Sequence, residues 1–217
     1  MPHLFRPYAD TVARTILVAI LVVPFAAIAA GYWLSASPYE TEQTVTVDQP
    51  VPFSHEHHVG GLGLDCRYCH TAVEASPVAS LPPTHTCMTC HSQLYTQAAM
   101  LAPVRESLAE NKPIHWNKVN RLPDYVYFDH SIHIAKGIGC TTCHGPVATM
   151  PLMRQAAPLT MGWCLNCHRD PAPYLRPASE VFDPDWQAPP DQSKRGIILA
   201  HQNLDNAHLT DCSVCHR

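Results

Sequence analysis

The apolar character of the chain is concentrated in one run. Residues 15–34, TILVAILVVPFAAIAAGYWL, pass twenty positions without a charge. A helix rises about 1.5 Å per residue, so this run covers roughly 30 Å, the thickness of a bilayer core. The pattern predicts a membrane-spanning helix over 15–34, preceded by a short N-terminal segment, 1–14. Pro24 lies mid-span and removes one helix hydrogen bond, a loss that membrane helices tolerate. Arg6 and Arg14 precede the run, and Glu40, Glu42 and Asp48 follow it. That asymmetry predicts a cytoplasmic N-terminus with the bulk of the chain on the outer side. Tyr32 and Trp33 stand where an interfacial aromatic belt is expected. The competing reading is a cleaved signal peptide, with Ser35-Ala36-Ser37 as the small-residue site. The apolar run exceeds the usual signal-peptide core of about 7–15 residues, which favours a retained anchor.

Beyond residue 34 neither a long amphipathic helix nor an alternating strand pattern emerges. Residues 35–52 read as a polar, extended tether ending in Pro50 and Pro52. Residues 92–127 form a spacer interrupted by Pro103, Pro113 and Pro123, with a helical stretch at 104–111. Residues 171–190 carry six prolines and read as a semi-rigid, polyproline-like connector rather than a helix. The expected architecture is mostly irregular, with short helices.

Composition explains why so little regular structure suffices. The chain has 10 Cys and 15 His among 217 residues. All the cysteines fall into pairs of one spacing: Cys66/Cys69, Cys87/Cys90, Cys140/Cys143, Cys164/Cys167 and Cys212/Cys215. Each pair is followed at once by a histidine: His70, His91, His144, His168 and His216. C-x-x-C-H is the attachment signal for c-type haem. The two thiols become thioethers to the haem vinyl groups, and the next imidazole binds iron from the proximal side. Zinc ribbons are the alternative, but they use two C-x-x-C pairs per ion and five pairs leave one over. A disulfide scaffold would not need a histidine after every pair. Charged residues are only 15%, and the net charge is −4, which gives no basic footprint for nucleic acid. Roughly 36 residues serve each motif, so haem faces are expected to form much of the core.

An internal repeat sorts the remaining histidines. Residues 53–70, FSHEHHVGGLGLDCRYCH, resemble 128–144, FDHSIHIAKGIGCTTCH. Phe53 matches Phe128, His55 matches His130 and His58 matches His133. Gly61 and Gly63 match Gly137 and Gly139, and the second copy is one residue shorter before its first cysteine. Histidines three apart share one side of a helical turn. His55, His58, His130 and His133 are therefore the expected distal iron ligands. His57 faces Ile132 in the repeat and is set aside. Each copy leads to a second motif, giving a first di-haem half at 53–91 and a second at 128–168. The connector and a fifth haem occupy 171–217. The fifth distal ligand stays open among His201, His208, Met150 and Met153, with His85 and His115 behind them. A methionine there would raise that haem's potential. His3 falls on the wrong side of the membrane.

The F-x-H-x-x-H…C-x-x-C-H layout resembles the class III multihaem cytochromes c. That resemblance implies that the first histidine serves the haem just downstream and the second reaches another. Longer segments narrow it: LPPTHTCMTCHSQ, LPDYVYFDHSIHIAKGIGCTTCHG, MPLMRQAAPLTMGWCLNCHRDP and LTDCSVCHR, with FSHEHHVGGLGLDCRYCHTAVE. Together they are similar to the pentahaem cytochrome c subunit of alternative complex III, over most of 50–217 and the N-terminal anchor. The likeness is weakest around His201–His208.

The resemblance implies a multihaem cytochrome c fold: short helices packed around five covalent c-type haems, plus one transmembrane helix. It implies an electron-transfer subunit that is not catalytic by itself, in a quinol-oxidising complex of the bacterial cytoplasmic membrane. The implied donor is an iron–sulfur subunit related to molybdopterin enzymes, beside polytopic quinol-binding membrane subunits. The implied acceptor is a monohaem cytochrome c subunit, then a soluble electron carrier or terminal oxidase. Surrounding membrane lipid completes the set of partners, and no nucleic acid is expected. The rival expectation is a stand-alone, membrane-anchored quinol dehydrogenase feeding a periplasmic reductase. An iron ligated on both sides leaves no position for a substrate, which sets iron-centred catalysis aside. Net negative charge with exposed haem propionates predicts an acidic outer surface and partners with basic patches.

Overall fold

The computed structural model describes residue 6, residues 8–205 and residues 208–216. His3 lies outside them. The chain divides into one unit ending at Glu42 and another beginning at Gln43.

The first unit is dominated by α1 (Ala9–Ser35), followed by the single turn α2 (Pro38–Thr41). The helix starts six residues before the apolar run, because Asp10 and Arg14 form an i,i+4 ion pair at 2.9 Å that continues it. Pro24 is accommodated inside the helix. None of its residues is buried, and it is long and apolar enough to cross a membrane.

The second unit is helical and irregular. Its longer helices are α4 (Thr84–His91), α5 (Ala102–Glu110), α8 (Met161–Arg169) and α9 (Gln192–Asn203). The short turns are α3 (Cys66–Cys69), α6 (His130–Ala135), α7 (Cys140–His144) and α10 (Cys212–Cys215). Among the described residues, extended chain meets only in isolated bridges, Thr46 to Arg154, Val126 to His216 and Ile138 to Leu175. The polypeptide core is thin. Among the described residues the fully enclosed large side chains are Met150, Leu175 and Val181. Leu62, Leu81, Leu94, Ile132, Met161 and Val214, all beside the motifs or their histidine turns, stay exposed. Burial of such groups is the main force for folding, so a protein this poor in enclosed side chains needs another apolar filler.

The two repeat copies fold alike with one difference. In the second, α6 carries His130 and His133 on an ordinary helical turn. In the first, Glu56–Gly61 is a π-helix. A π-turn is how a helix absorbs one inserted residue, and the first copy is the longer by one. The glycine register moves as a result. Gly63, with φ +67°, stands three residues before Cys66, as Gly137, with φ +87°, stands three before Cys140. The structural counterpart of Gly137 is therefore Gly63 and not Gly61. Both glycines adopt the left-handed conformation that ends a helix without a Cβ penalty.

The halves hold each other's histidine turns. The Glu56 amide donates to the Met150 carbonyl at 3.0 Å, and the His130 amide donates to the Pro77 carbonyl at 3.2 Å. Met150 follows the third motif, and Pro77 follows the first.

The connector after residue 171 contains single 3-10 turns at Ala172–Tyr174 and Ala178–Glu180. It then gives way to α9, a twelve-residue helix that hydrophobic periodicity does not predict. Its buried face is Gln192, Gly196 and Ala200, spaced by four, while Ile197 and Ile198 are exposed. Small residues, rather than large apolar ones, let α9 sit on the Ala172–Tyr174 turn. Gln192 Nε2 donates to the carbonyls of Leu175 and Ala172 at 2.6 and 3.3 Å. A Cβ on Gly196 would come within 1.8 Å of the Ala172 carbonyl oxygen. Gly196→Ala is therefore expected to cost roughly 2–3 kcal/mol through overpacking. A thermal melt of the intact protein should fall by about 5–10 °C, and an unchanged melt would show that α9 does not sit this close.

Candidate haem sites

Each C-x-x-C-H lies on or ends a short helical turn. This places the two cysteines of a motif three apart on one side of the helix, with the histidine one step further. Caps start two of these turns: the Asp65 carboxylate accepts from the Arg67 amide at 2.8 Å, and Thr160 Oγ1 accepts from the Trp163 amide. All ten thiols are free. Among the described residues no three of His, Cys, Asp and Glu converge as a zinc site requires.

The histidine rings meet in pairs. His58 faces His91 with ring centres 6.3 Å apart, His130 faces His144 at 6.3 Å, and His133 faces His168 at 6.1 Å. Two imidazoles on opposite sides of one metal ion need two bonds of about 2 Å. With roughly 1 Å from each nitrogen to its ring centre, the span is about 6 Å. All three pairs fit one iron between them. In each pair one member follows a cysteine pair and the other comes from a histidine turn. The pairing joins the second histidine of each turn to the further motif of its own half, and His130 to the motif just downstream. The repeat matches His55 to His130, and among the imidazoles His70 has the largest electrostatic influence on His55.

Two phenylalanines hold the turns. Phe53 meets His55 edge-on at 4.9 Å and stacks on His58 at 4.3 Å. Phe128 repeats this with His130 at 4.8 Å and His133 at 4.4 Å. Truncating Phe128 to alanine removes the stacking surface of His133, so an iron held between His133 and His168 would be bound more weakly. That is checked by carbon monoxide binding to the reduced protein, expected at one haem in Phe128→Ala and absent in the parent.

A ligand imidazole usually commits one ring nitrogen to a second-shell acceptor, which leaves the other for metal. Nδ1 contacts of this kind run from His58 to the Ser54 carbonyl at 2.8 Å and from His133 to the Asp129 carbonyl at 2.6 Å. His70 meets Ser80 O at 2.7 Å, His91 meets Leu94 O at 3.2 Å, and His130 meets Pro77 O at 2.8 Å. His168 meets Leu209 O at 2.7 Å, and His216 meets Tyr125 O at 3.1 Å. His144 Nδ1 faces the Asn120 side-chain amide at 3.2 Å. His55 Nδ1 is buried without a hydrogen-bond partner. Burial, then the neighbouring His70, pushes His55 down to about 4, and burial pushes His144 down to about 4 as well. Burial also lowers His133. All three are thereby held as neutral imidazole, the form that binds a metal.

The other candidates stand apart. His57, His85, His115 and His201 are exposed. Met150 is fully buried in the polypeptide core, with its methyl packed against Gly145. Met153 is part-buried. His208 is exposed, and its Nδ1 meets the Asp211 carboxylate at 2.9 Å, which raises its basicity.

A residue absent from the sequence-based expectations adjoins the third motif. Arg176 is 3% exposed. Its guanidinium donates to Thr141 Oγ1 at 2.9 Å, to Thr142 Oγ1 at 3.4 Å and to the carbonyls of Glu180 and Asp183 at 3.2 and 3.3 Å. It lies over the Trp186 ring at 4.3 Å. Gly139 is required beside it, because a Cβ there would stand 2.0 Å from the guanidinium carbon.

Residues 126–217 match the family described as cytochrome c7 and related cytochrome c. The chain is also 32% identical over 119 residues to the menaquinone reductase, multiheme cytochrome c subunit, of Nitratidesulfovibrio vulgaris. The alignment covers 54% of this chain and 54% of that protein, so the chain spans about half the length of the curated relative it matches. Multihaem cytochromes c are thus what the chain is similar to over these residues.

Proposed function

We propose, for a chain with the multihaem cytochrome c fold, a membrane-anchored conduit of five haems within a quinol:electron-acceptor oxidoreductase. The observation that carries this is the spacing of the facing imidazoles, 6.1–6.3 Å in three independent pairs. When bound, c-type haem supplies one-electron redox chemistry. The ten cysteines anchor it, and the proximal set is His70, His91, His144, His168 and His216. The distal set is His55, His58, His130 and His133. His208 is our assignment for the fifth, supported by the carboxylate that orients its ring. It is preferred to His201, which projects from the exposed side of α9, and to Met150 and Met153. An imidazole on each side of every site would hold the iron and keep substrate from it.

The remaining features of the proposal follow the resemblance to the pentahaem subunit of alternative complex III. Electrons enter from an iron–sulfur partner and leave to a monohaem cytochrome c or a soluble carrier. α1 anchors the chain with its N-terminus in the cytoplasm, and the haem domain faces the periplasm. The name of the N. vulgaris relative favours a second reading, in which electrons run the other way, into menaquinone. Purified complex assayed in both directions separates the two. The stand-alone dehydrogenase reading predicts turnover when menaquinol is mixed with this chain alone, and turnover there would sink the conduit.

The haem content is the direct check. Intact-mass and pyridine haemochrome measurements on the purified protein should give five covalent haems per chain, all low-spin. A smaller number, or zinc in their place, defeats the proposal.

A further inference from the structure

We infer that the five haem sites form one row in the order second, first, third, fourth, fifth motif, with the second and fifth at its ends. The inference rests on the reading that each motif carries a haem, and it adds the connectivity of the row.

Sequence order would place the second motif beside the third. The contacts run otherwise. The first and second motifs meet through Tyr68 of α3 and Thr89 of α4, whose hydroxyls lie 2.8 Å apart. Cys69 and Cys87, one from each, are also electrostatic neighbours. The first motif meets the third on its other cysteine: the thiols of Cys66 and Cys140 are within hydrogen-bonding reach. On the same side His130, which faces the third motif, is held by Pro77 from the loop after the first. The third motif meets the fourth through α6, whose His130 faces His144 and whose His133 faces His168, and Cys143 has Cys167 and Cys164 as electrostatic neighbours. The fourth meets the fifth where Cys164 neighbours Cys215 and where the fourth proximal ring, His168, bonds Leu209, three residues before Cys212.

The first motif thus uses Cys69 toward the second and Cys66 toward the third. The third uses Cys140 toward the first and Cys143 toward the fourth. A motif with neighbours on both cysteines lies inside the row. Exposure gives an independent indication. Cys90 and Cys212 are the exposed cysteines, and the other eight are part-buried. These two belong to the second and fifth motifs, the ends that the contacts assign. A one-electron donor protein, oxidised by one electron, and a one-electron acceptor, reduced by one, therefore meet the row at opposite ends.

The test uses the full-length holoprotein, first counted for haem by intact mass. Crystals measured across the iron absorption edge then locate each iron by anomalous scattering. The expected result is five irons in which that of the second motif has the first as its nearest neighbour and that of the fifth has the fourth. The distance from second to fifth should be the longest of all. Five irons in another adjacency, such as second beside third, overturn the row and leave the haem assignment standing. A count other than five overturns the haem assignment, and the row with it.

Discussion

Under the proposed haem assignment, replacing His58 with alanine is expected to turn one haem of the five high-spin and to leave the other four low-spin. His58 faces His91, the histidine that closes the second cysteine pair, at a separation that fits one iron. Alanine leaves that iron with one axial nitrogen. The electron paramagnetic resonance spectrum of the oxidised protein should gain a high-spin signal worth about a fifth of the iron. Added imidazole should remove it. His57→Ala serves as the control, because His57 is exposed and only meets His58 edge-on at 5.3 Å. It should leave every haem low-spin. Since the two residues are adjacent, a general loosening of the turn would affect both variants. A high-spin signal in His57→Ala, or none in His58→Ala, reverses the assignment.

The second large effect is expected at Arg176, and it is one of stability. Its guanidinium satisfies two backbone carbonyls and two threonine hydroxyls across a span from Thr141 to Asp183. Arg176→Ala removes all four contacts at once and opens a void beside Gly139. Acceptors left buried without donors cost about 1–3 kcal/mol each, so a loss of about 3 kcal/mol or more is expected. The stacking on Trp186 adds to this. Lysine should recover little, because one ammonium cannot reproduce a planar fork reaching four acceptors. Denaturant unfolding of the holoprotein measures the difference. Parent-like stability in Arg176→Ala would mean that the network is dispensable.

The parts of this arrangement that were legible in sequence are those in which chemistry fixes spacing. A covalent attachment needs two thiols three apart and an imidazole next to them, so the five motifs stand out whatever surrounds them. The repeat then separates His58 from His57, because two copies of one turn must place the same side chains against the same groups. The helix over Ala9–Ser35 was legible because solvent alone dictates its composition. The illegible parts depend on the backbone or on very small side chains. The carbonyls of Met150 and Pro77 hold the histidine turns, and a carbonyl leaves no mark in the sequence. The face of α9 is Gln192, Gly196 and Ala200, which a search for large apolar residues passes over. The one-residue insertion in the first copy was visible, but only the π-turn shows that it falls before Gly63 and not after it. Arg176 serves a motif some 35 residues earlier, with no local pattern to connect them.

The crossed attachment of the two histidine turns bears on the order in which a chain made from its N-terminus can be completed. The carbonyl that receives Glu56 belongs to Met150, so the seat for the first turn is made 94 residues after it. The second turn waits for nothing, because Pro77 has already emerged when His130 appears. Synthesis from the N-terminus therefore leaves the first half provisional until the second half closes over it. The last step of assembly finishes the first-made part.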